Sequence, residues 1–340
     1  MKENESTENQ PIPETPRLSP SIGPLIDECR RGQQDALRRS GMFRIRRASQ
    51  TLIEAAGRPN PEPLWMTLWH EGEVCCLFSD SNLGKSIYAV QIASHIALKQ
   101  KVLYFDFELS DKQFQLRYTD EQGNLFPFPD HLYRVEIDPE ALQTVDFEEA
   151  IVRHLEQAAV ETGAKVLIID NLTYLCLAAE KGDLAGELMF RLMRLKRQHG
   201  LSLMILAHTP KRPLSSPITQ NDLAGSKKLY NFFDSVFAIG KSARDSGLRY
   251  IKQLKVRYGD FSYDAGNVIV ASIEKREAFL QFTPLGYATE REHLTEPEGD
   301  GERQEKVARV KALHAAGRSQ REIAREVGVS VSSVNKYIKW

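Results

Sequence analysis

An apolar run, a short polar loop and a helix-period segment follow one another between residues 74 and 98, and no other feature constrains the fold as strongly. Val74–Phe78 is continuously apolar, which is typical of a strand buried on both faces. Ser86–Leu98 repeats apolar residues at helical spacing. A strand joined to a helix by a short loop is the building unit of α/β sheets, so this stretch predicts such a sheet.

The loop matches the phosphate-loop pattern G-x-x-x-x-G-K-[ST] except at its first position, where Ser79 replaces glycine. In such a loop, backbone N–H groups and the positive end of the following helix hold a phosphate. Gly84 permits close approach, the Lys85 ammonium faces the β- and γ-phosphates, and the Ser86 hydroxyl binds Mg²⁺. A chance Gly-Lys-Ser is the alternative, and serine tolerates positive φ poorly. The loop therefore predicts ATP with Mg²⁺, contacted by Ser79, Asp80, Ser81, Asn82, Leu83, Gly84, Lys85, Ser86 and Ile87.

Two further apolar runs end in acids. Val166–Ile169 is followed by Asp170, which is expected at the carboxyl edge of the sheet and near the metal. Val102–Phe107 is followed by Glu108, which is placed to deprotonate an attacking water. A surface acid without a task is the alternative for Glu108, and Asp106 is the next candidate for the base.

The wider pattern predicts an α/β fold with a mostly parallel sheet, flanking helices and an antiparallel end. After Asp234 too little chain separates the strand candidates for crossover helices, which requires antiparallel pairing. The other strand candidates are Leu203–Leu206, Ser235–Ile239, Arg249–Val256, Asn267–Ile273 and Ala278–Phe282, and the other helix candidates are Phe147–Ala159 and Leu184–Arg197.

Composition divides the chain into five segments. A proline-rich, polar segment at 1–24 is expected to be disordered. A basic segment at 25–64 is interpreted as a solvated helix face and linker, with a nucleic-acid or subunit-contact arm as the alternative. The expected ATPase domain spans 65–290, a Pro/Glu/Gly-rich linker 291–303, and a compact helical unit 304–340.

Overall charge and hydropathy exclude several classes of protein. The net charge of −1 gives no global attraction to nucleic acid or membrane, so such contacts need local patches. The four cysteines show no C-x-x-C spacing, and Cys75 and Cys76 lie in an apolar run, which suits a reducing compartment. No stretch has the length of a membrane span. We expect a cytoplasmic protein that does not contact membranes.

The C-terminal segment predicts three short helices in a helix-turn-helix arrangement. Ser319 and Glu322 form a capping-box pattern, and Gly328 makes the turn before a third helix with Val331, Val334 and Ile338 facing the core. A three-helix oligomerisation unit is the alternative. The exposed face of the third helix is polar and basic, as in DNA readers, and offers Ser332, Ser333, Asn335, Lys336 and Lys339.

These motifs in this order resemble the RecA-like P-loop motor ATPases, particularly the group holding RepA-type plasmid helicases and AAA-type ATPases of mobile elements. The resemblance covers roughly 65–282. It implies that Glu108 is the catalytic glutamate and that His208 senses the γ-phosphate. It also implies a DNA-facing loop from Asp222 towards Ser235. The C-terminal unit resembles the DNA-binding ends of site-specific recombinases and bacterial regulators.

Assembly is implied by the same resemblance. Lys255 and Arg257 match a lysine-x-arginine finger that reaches the nucleotide of the neighbouring subunit, which implies a ring or filament, with a hexamer expected. A basic strand edge is the alternative.

The sequence thus predicts an ATP-hydrolysing motor or switch that acts on DNA in replication or on mobile elements. A DNA-binding regulator whose ATP site controls assembly with little turnover is the second hypothesis. A small-molecule kinase is disfavoured because no acceptor-binding motif is present.

Overall fold

The computed structural model describes residues 38–40, 43–137, 147–171, 182–210, 212–223, 227–295 and 300–338. The segment expected to be disordered, 1–24, lies outside them. The chain divides into two compact units, Met1–Pro61 and Glu62–Trp340. No helix in the described part is long and apolar enough to cross a bilayer.

The described residues of the first unit form a small hairpin and one helix. Strands β1 (Arg38–Ser40) and β2 (Phe43–Ile45) pair antiparallel, with Arg39 opposite Arg44, and helix α1 (Ala48–Ala56) follows. The interpretation of the basic segment as a helix face was therefore wrong for 38–40 and 43–45, whereas 25–37 lie outside the described residues. Phe43-Arg44-Ile45 alternates apolar and basic residues, which is the period of a strand.

The second unit is built around a sheet, and its described residues give nine strands in the order β13-β12-β11-β10-β5-β9-β8-β6-β7. The six strands from β10 to β7 run parallel, and β11, β12 and β13 are antiparallel. Their bounds are β5 (Val74–Ser79), β6 (Val102–Asp106), β7 (Leu132–Val135), β8 (Val166–Asp170), β9 (Ser202–His208), β10 (Ser235–Lys241), β11 (Leu248–Lys255), β12 (Val268–Arg276) and β13 (Phe279–Ala288). This confirms the predicted fold class, including its antiparallel end.

Helices connect the parallel strands. They are α2 (Lys85–Ala97), α3 (Asp111–Arg117), α4 (Phe147–Thr162), α5 (Gly182–His199) and α6 (Lys227–Phe232), with short 3-10 turns at Gln220–Asp222 and Glu290–His293. A two-stranded sheet, β3 (Pro63–Trp65) with β4 (Trp69–His70), precedes the phosphate loop. The edge strand β7, the small β3–β4 sheet and helix α3 were not among the strand and helix candidates.

The core lies on both faces of the central strands. Alternate residues of β5 enter different clusters: Cys76 and Phe78 pack with α4 and α5, whereas Cys75 and Leu77 pack with α2. A fully buried Leu or Phe side chain such as those of Leu77 and Phe78 contributes about 1.5–3 kcal/mol relative to exposure. Because both faces are covered, the strands are continuously apolar, and polar groups concentrate where the strands end.

The described C-terminal residues form three helices, α7 (Asp300–Ala315), α8 (Gln320–Val327) and α9 (Val331–Ile338), around a small core containing Val310, Ile323 and Val334. The predicted capping box of Ser319 and Glu322 is present, and Gly328 ends α8 at φ 70°. The expectation that Val331 faces the core was wrong, because this side chain is 43% exposed. Val331 is the first residue of its helix, and Tyr337, one turn beyond Val334, fills the core instead.

Candidate functional site

The phosphate loop follows β5 at the carboxyl edge of the parallel strands, where ligands of such sheets bind. Its two left-handed residues are Asn82 (φ 62°) and Gly84 (φ 94°), whereas Ser79 still belongs to the strand. The concern about serine at the first motif position therefore does not arise. A Cβ on Gly84 would lie 2.7 Å from Ile273 Cδ1 and 2.9 Å from Phe282 Cε2, so packing also requires glycine there.

The predicted nucleotide contacts divide by side-chain direction. Leu83 is buried and Ile87 packs beside it in the core, so these two offer only backbone groups to a ligand. Ser81 and Asn82 are exposed, and the Asp80 carboxylate accepts a hydrogen bond from Ser81 N at 2.8 Å.

Lys85, the first residue of α2, is buried, and its ammonium has only uncharged partners in the described structure. Lys85 Nζ donates to Ser79 O at 3.2 Å, to Asp80 O at 3.4 Å and to His208 Nδ1 at 3.1 Å. Burial lowers the pKa of Lys85, and the nearby Asp170, Glu108 and Asp80 carboxylates oppose that shift. A cation held by carbonyls and an imidazole can exchange them for phosphate oxygens.

Asp170 ends β8 beside the loop and is almost completely buried. Its Oδ2 accepts a 2.7 Å hydrogen bond from Tyr104 Oη, whereas its Oδ1 has no hydrogen-bond partner among the described residues. Burial raises the pKa of Asp170 to about 6, partly opposed by the nearby Ser86 hydroxyl and the Tyr104 hydrogen bond.

The oxygens of Asp170 and Ser86 fit Mg²⁺, a hard cation that prefers oxygen ligands. An unpartnered, buried carboxylate oxygen is a ready ligand. Within the described part of the chain no three His, Cys, Asp or Glu side chains converge on a metal position.

Glu108 and His208 lie together across the same edge, with Asn171 between them. Glu108 Oε1 is 3.4 Å from His208 Nε2, and Asn171 Nδ2 is 3.0 Å from that nitrogen and also donates to Glu108 Oε1. The hydrogen bond with His208 lowers the pKa of Glu108, against the opposing effect of burial. The structure thus brings Lys85, Glu108 and His208 into one hydrogen-bonded cluster.

Asp106, the alternative base, is differently placed. It is buried, its Oδ1 accepts from the backbone N–H groups of Glu108 (3.2 Å) and Leu109 (3.0 Å), and its Oδ2 accepts from Arg134 Nε at 2.9 Å. Both oxygens are occupied by groups of its own fold, which argues against Asp106 as a base.

Lys255 and Arg257 lie at the other edge of the sheet. Lys255 ends β11 opposite Val236, near the start of β10, whereas the phosphate loop follows the end of the neighbouring β5. Arg257 Nη1 donates to Asp234 Oδ1 at 2.7 Å, and Lys255 Nζ donates to Tyr230 O at 3.0 Å. The structure therefore does not bring these two cations to the phosphate loop of their own chain.

The predicted DNA-contacting residues are partly described. Asn335 and Lys336 are exposed on α9, whereas the backbone N–H of Ser333 donates at 3.0 Å to Oγ of Ser330, which caps the helix. The Ser332 side chain and Lys339 lie outside the described residues, as do 224–226 of the expected DNA-facing loop. At that loop's beginning Asp222 caps its own turn, and Phe233 and Asp234 towards its end are buried.

Three residues of the site were missed in the sequence. Asn171 directly follows the acid of β8, a position that could have drawn attention. Tyr104 and Arg134 give no local signal, because strand pairing brings them to Asp170 and Asp106.

The chain was compared with protein families, curated proteins and solved structures. The helix-turn-helix domain of resolvase matches residues 302–339. Among solved structures, a KaiC-like protein from Pyrococcus horikoshii aligns over 64% of this chain and 91% of its own, with 13% identity and a TM-score of 0.46. No curated protein matches the chain. The family described as AAA domain matches residues 43–213, half of the chain, and the protein therefore belongs to the AAA domain family.

Proposed function

We propose that this protein binds and hydrolyses ATP with Mg²⁺ as a DNA-associated motor or switch of a replication or mobile-element system, of the RepA helicase type. The observation that carries the proposal is the convergence of Lys85, Glu108 and His208 beside the Ser86–Asp170 pair. A cation, a base and a metal-ligand pair at one strand edge are the parts that phosphoryl transfer to water requires.

Each residue has a defined task in this scheme. Lys85 exchanges its carbonyl partners for β- and γ-phosphate oxygens, and Ser86 with Asp170 holds the metal. When bound there, Mg²⁺ would supply positive charge to offset the charge that develops on the phosphates. Glu108, whose lowered pKa keeps it ionised at neutral pH, accepts a proton from the attacking water. His208, hydrogen-bonded to both Lys85 and Glu108, is placed to respond when a γ-phosphate draws Lys85 away.

Assembly is part of the proposal. Lys255 and Arg257 lie at the sheet edge away from their own phosphate loop, so any nucleotide that they contact belongs to another subunit. A head-to-tail ring or filament satisfies this requirement, and a closed ring of six is the form we propose.

DNA is the proposed macromolecular partner, bound through the C-terminal helix-turn-helix. Exposed Asn335 and Lys336 on its last helix suit a base edge and a phosphate respectively, with Ser332, Ser333 and Lys339 as further proposed contacts.

The second candidate is a DNA-binding regulator whose ATP site controls assembly with little turnover. Two observations favour it. Glu108 is tied to Asn171 and His208, and Arg257 is tied to Asp234, so both proposed catalytic groups must leave existing partners before they act.

Steady-state ATP turnover with no DNA, with single strands and with duplex separates the two candidates. Turnover stimulated by DNA and reduced about 10²–10⁴-fold in Glu108→Gln supports the motor. Negligible turnover together with ATP-dependent oligomerisation supports the regulator.

The role of the tail is tested by truncation after residue 299. Loss of preference for a duplex site, with basal turnover retained, is expected if the tail reads DNA. Asn335→Ala should cost about 1–3 kcal/mol of discrimination at one base pair. If truncation changes only the oligomer size, the tail is an assembly element, the alternative recognised from the sequence.

A further inference from the structure

A second group of contacts holds the backbone on which Glu108 sits. The segment 107–109 has no regular structure, yet its three backbone N–H groups are all hydrogen-bonded. Phe107 N donates to Asp170 O at 3.0 Å, while the N–H groups of Glu108 and Leu109 donate to Asp106 Oδ1. The conformation of the short segment is thus tied to the Asp106 carboxylate.

Arg134 completes this arrangement from the edge strand β7. Its Nε donates to Asp106 Oδ2 at 2.9 Å and its Nη2 donates to Leu109 O at 2.6 Å. One guanidinium therefore binds both the Asp106 carboxylate and the last carbonyl of the segment 107–109. The Arg134 side chain is only 17% exposed, and its guanidinium lies 4.8 Å from the centre of the Phe114 ring.

We infer that Arg134, acting with Asp106, is a positioning residue for the catalytic glutamate. The inference rests on the proposed function, in which Glu108 is the base. Two planar N–H groups are needed at once, one for Asp106 and one for Leu109 O, and a guanidinium supplies them in a fixed geometry. Without Arg134 the buried Asp106 loses its counter-ion, and the segment loses its anchor at Leu109.

The arrangement has a kinetic rather than a binding consequence. Lys85, Ser86 and Asp170, which would contact nucleotide and metal, make no hydrogen bond to Arg134 in the described structure. A displacement of about 1 Å in a catalytic group can cost about 10²-fold in rate. Arg134→Gln is therefore expected to lower kcat about 10- to 100-fold and to leave the ATP dissociation constant within about twofold.

Two further variants separate positioning from general damage. Arg134→Lys keeps the positive charge beside Asp106 but lacks the two N–H donors that a guanidinium holds in a fixed geometry. Its kcat should therefore lie between those of wild type and Arg134→Gln. Glu136→Gln removes only a half-exposed partner of Arg134, 2.8 Å from Nη2, and serves as the matched control with near wild-type kcat.

The test is a double-mutant cycle on the full chain with Mg²⁺ and ATP, with melting temperature and ATP affinity measured for every variant. If Arg134 acts through Glu108, adding Arg134→Gln to Glu108→Gln should lower kcat no further. Additive losses, or an equal weakening of ATP binding, would overturn the inference. If Glu108→Gln alone keeps wild-type kcat, the proposed base is wrong and this inference is overturned with it. If Glu108→Gln lowers kcat as expected but Arg134→Gln keeps wild-type kcat, only this inference is overturned.

Discussion

Two buried lysines of this protein lie in opposite electrostatic situations. Lys252 on β11 contacts the Glu290 carboxylate and Ile218 O, and Glu290 accepts further hydrogen bonds from Ile218 N and Tyr250 Oη. Lys85 in the phosphate loop has no carboxylate within ion-pair distance in the described residues, although Asp170 nearby keeps one oxygen unpartnered.

The difference shows that burial of charge alone does not mark a functional site. Lys252 and Glu290 satisfy each other, and together they tie the chain after β9 to the antiparallel strands. Lys85 and Asp170 are left with capacity that Mg²⁺ and phosphates can fill. Buried charges cost several kcal/mol unless they are compensated, so an under-compensated pair is better explained by a ligand than by stability.

The largest expected effect is on nucleotide binding. Lys85→Ala should abolish tight ATP binding and leave the fold intact, because the ammonium contributes no ion pair to the structure itself. Calorimetric titration with Mg²⁺-ATP measures this. Lys252→Ala is the matched control, since it removes an equally buried lysine and should spare the ATP affinity of the folded protein. An unchanged ATP affinity in Lys85→Ala would contradict the assignment of this loop as a phosphate loop.

Glu290→Ala should show the reverse pattern. It leaves Lys252 buried without a counter-charge, and breaking such a pair costs about 3–5 kcal/mol. Urea unfolding should report that loss, while folded protein keeps its ATP affinity. Replacing both partners, Lys252→Met with Glu290→Leu, should recover part of the stability because no charge then remains buried. Recovery should stay incomplete because Ile218 N and Tyr250 Oη lose their acceptor. A loss of well under 1 kcal/mol in the single variant would contradict the contrast between the two lysines.

Asp170→Asn tests whether the nucleotide site costs stability. The pKa of Asp170 is raised to about 6, so the folded state binds more protons than the unfolded state between roughly pH 4 and 6. Stability should therefore fall as pH rises through that window. At pH 8 the neutral amide avoids burying a charge, and Asp170→Asn should gain on the order of 2–3 kcal/mol in the absence of nucleotide.

At pH 4 the advantage of Asp170→Asn should vanish, because the native carboxyl is then largely protonated in the folded protein. Urea unfolding at the two pH values measures the difference. ATP turnover with Mg²⁺ should be lost at both. Equal stability of variant and wild type at pH 8 would show that Lys85 and Ser86 already compensate the carboxylate.

Local patterns were enough to predict the parallel core. Apolar runs such as Val74–Phe78 and Val166–Ile169 mark strands buried on two faces, and short spacing after Asp234 required antiparallel pairing. The same patterns predicted that Asp170 and Glu108 lie at one edge of the sheet, since parallel strands place their carboxyl ends there. His208 was expected at that edge from the family resemblance.

What the sequence did not predict depends on pairing between distant strands. β7 has only four residues, and three of them are partly buried, so it lacks a clear period. Arg134 meets Asp106 only because β7 pairs with β6, and Tyr104 meets Asp170 only because β6 pairs with β8. The direction of Lys255 and Arg257 away from their own phosphate loop likewise follows from register rather than composition.

The smallest expected effect on stability belongs to Arg257. This side chain is 58% exposed, and its partner Asp234 keeps two other donors, Lys196 Nζ at 2.7 Å and Val74 N at 2.9 Å. Arg257→Ala should therefore lower the free energy of unfolding by less than about 1 kcal/mol. Turnover should nevertheless fall strongly if Arg257 serves a neighbouring nucleotide.

Mixing subunits decides between these roles of Arg257. In mixed oligomers, Arg257→Ala subunits supply intact phosphate loops and Lys85→Ala subunits supply intact fingers, so some interfaces pair both and turnover should reappear. Lys196→Ala is the control, because it removes the more buried partner of Asp234 and should lower stability. When mixed with Lys85→Ala subunits, it should restore turnover to the same extent as wild-type subunits do. If oligomers shown to be mixed by differential labelling stay inactive, Arg257 acts only as a partner of Asp234. Arg257 would then be a structural cation like Lys252, with its charge compensated by a carboxylate of its own chain.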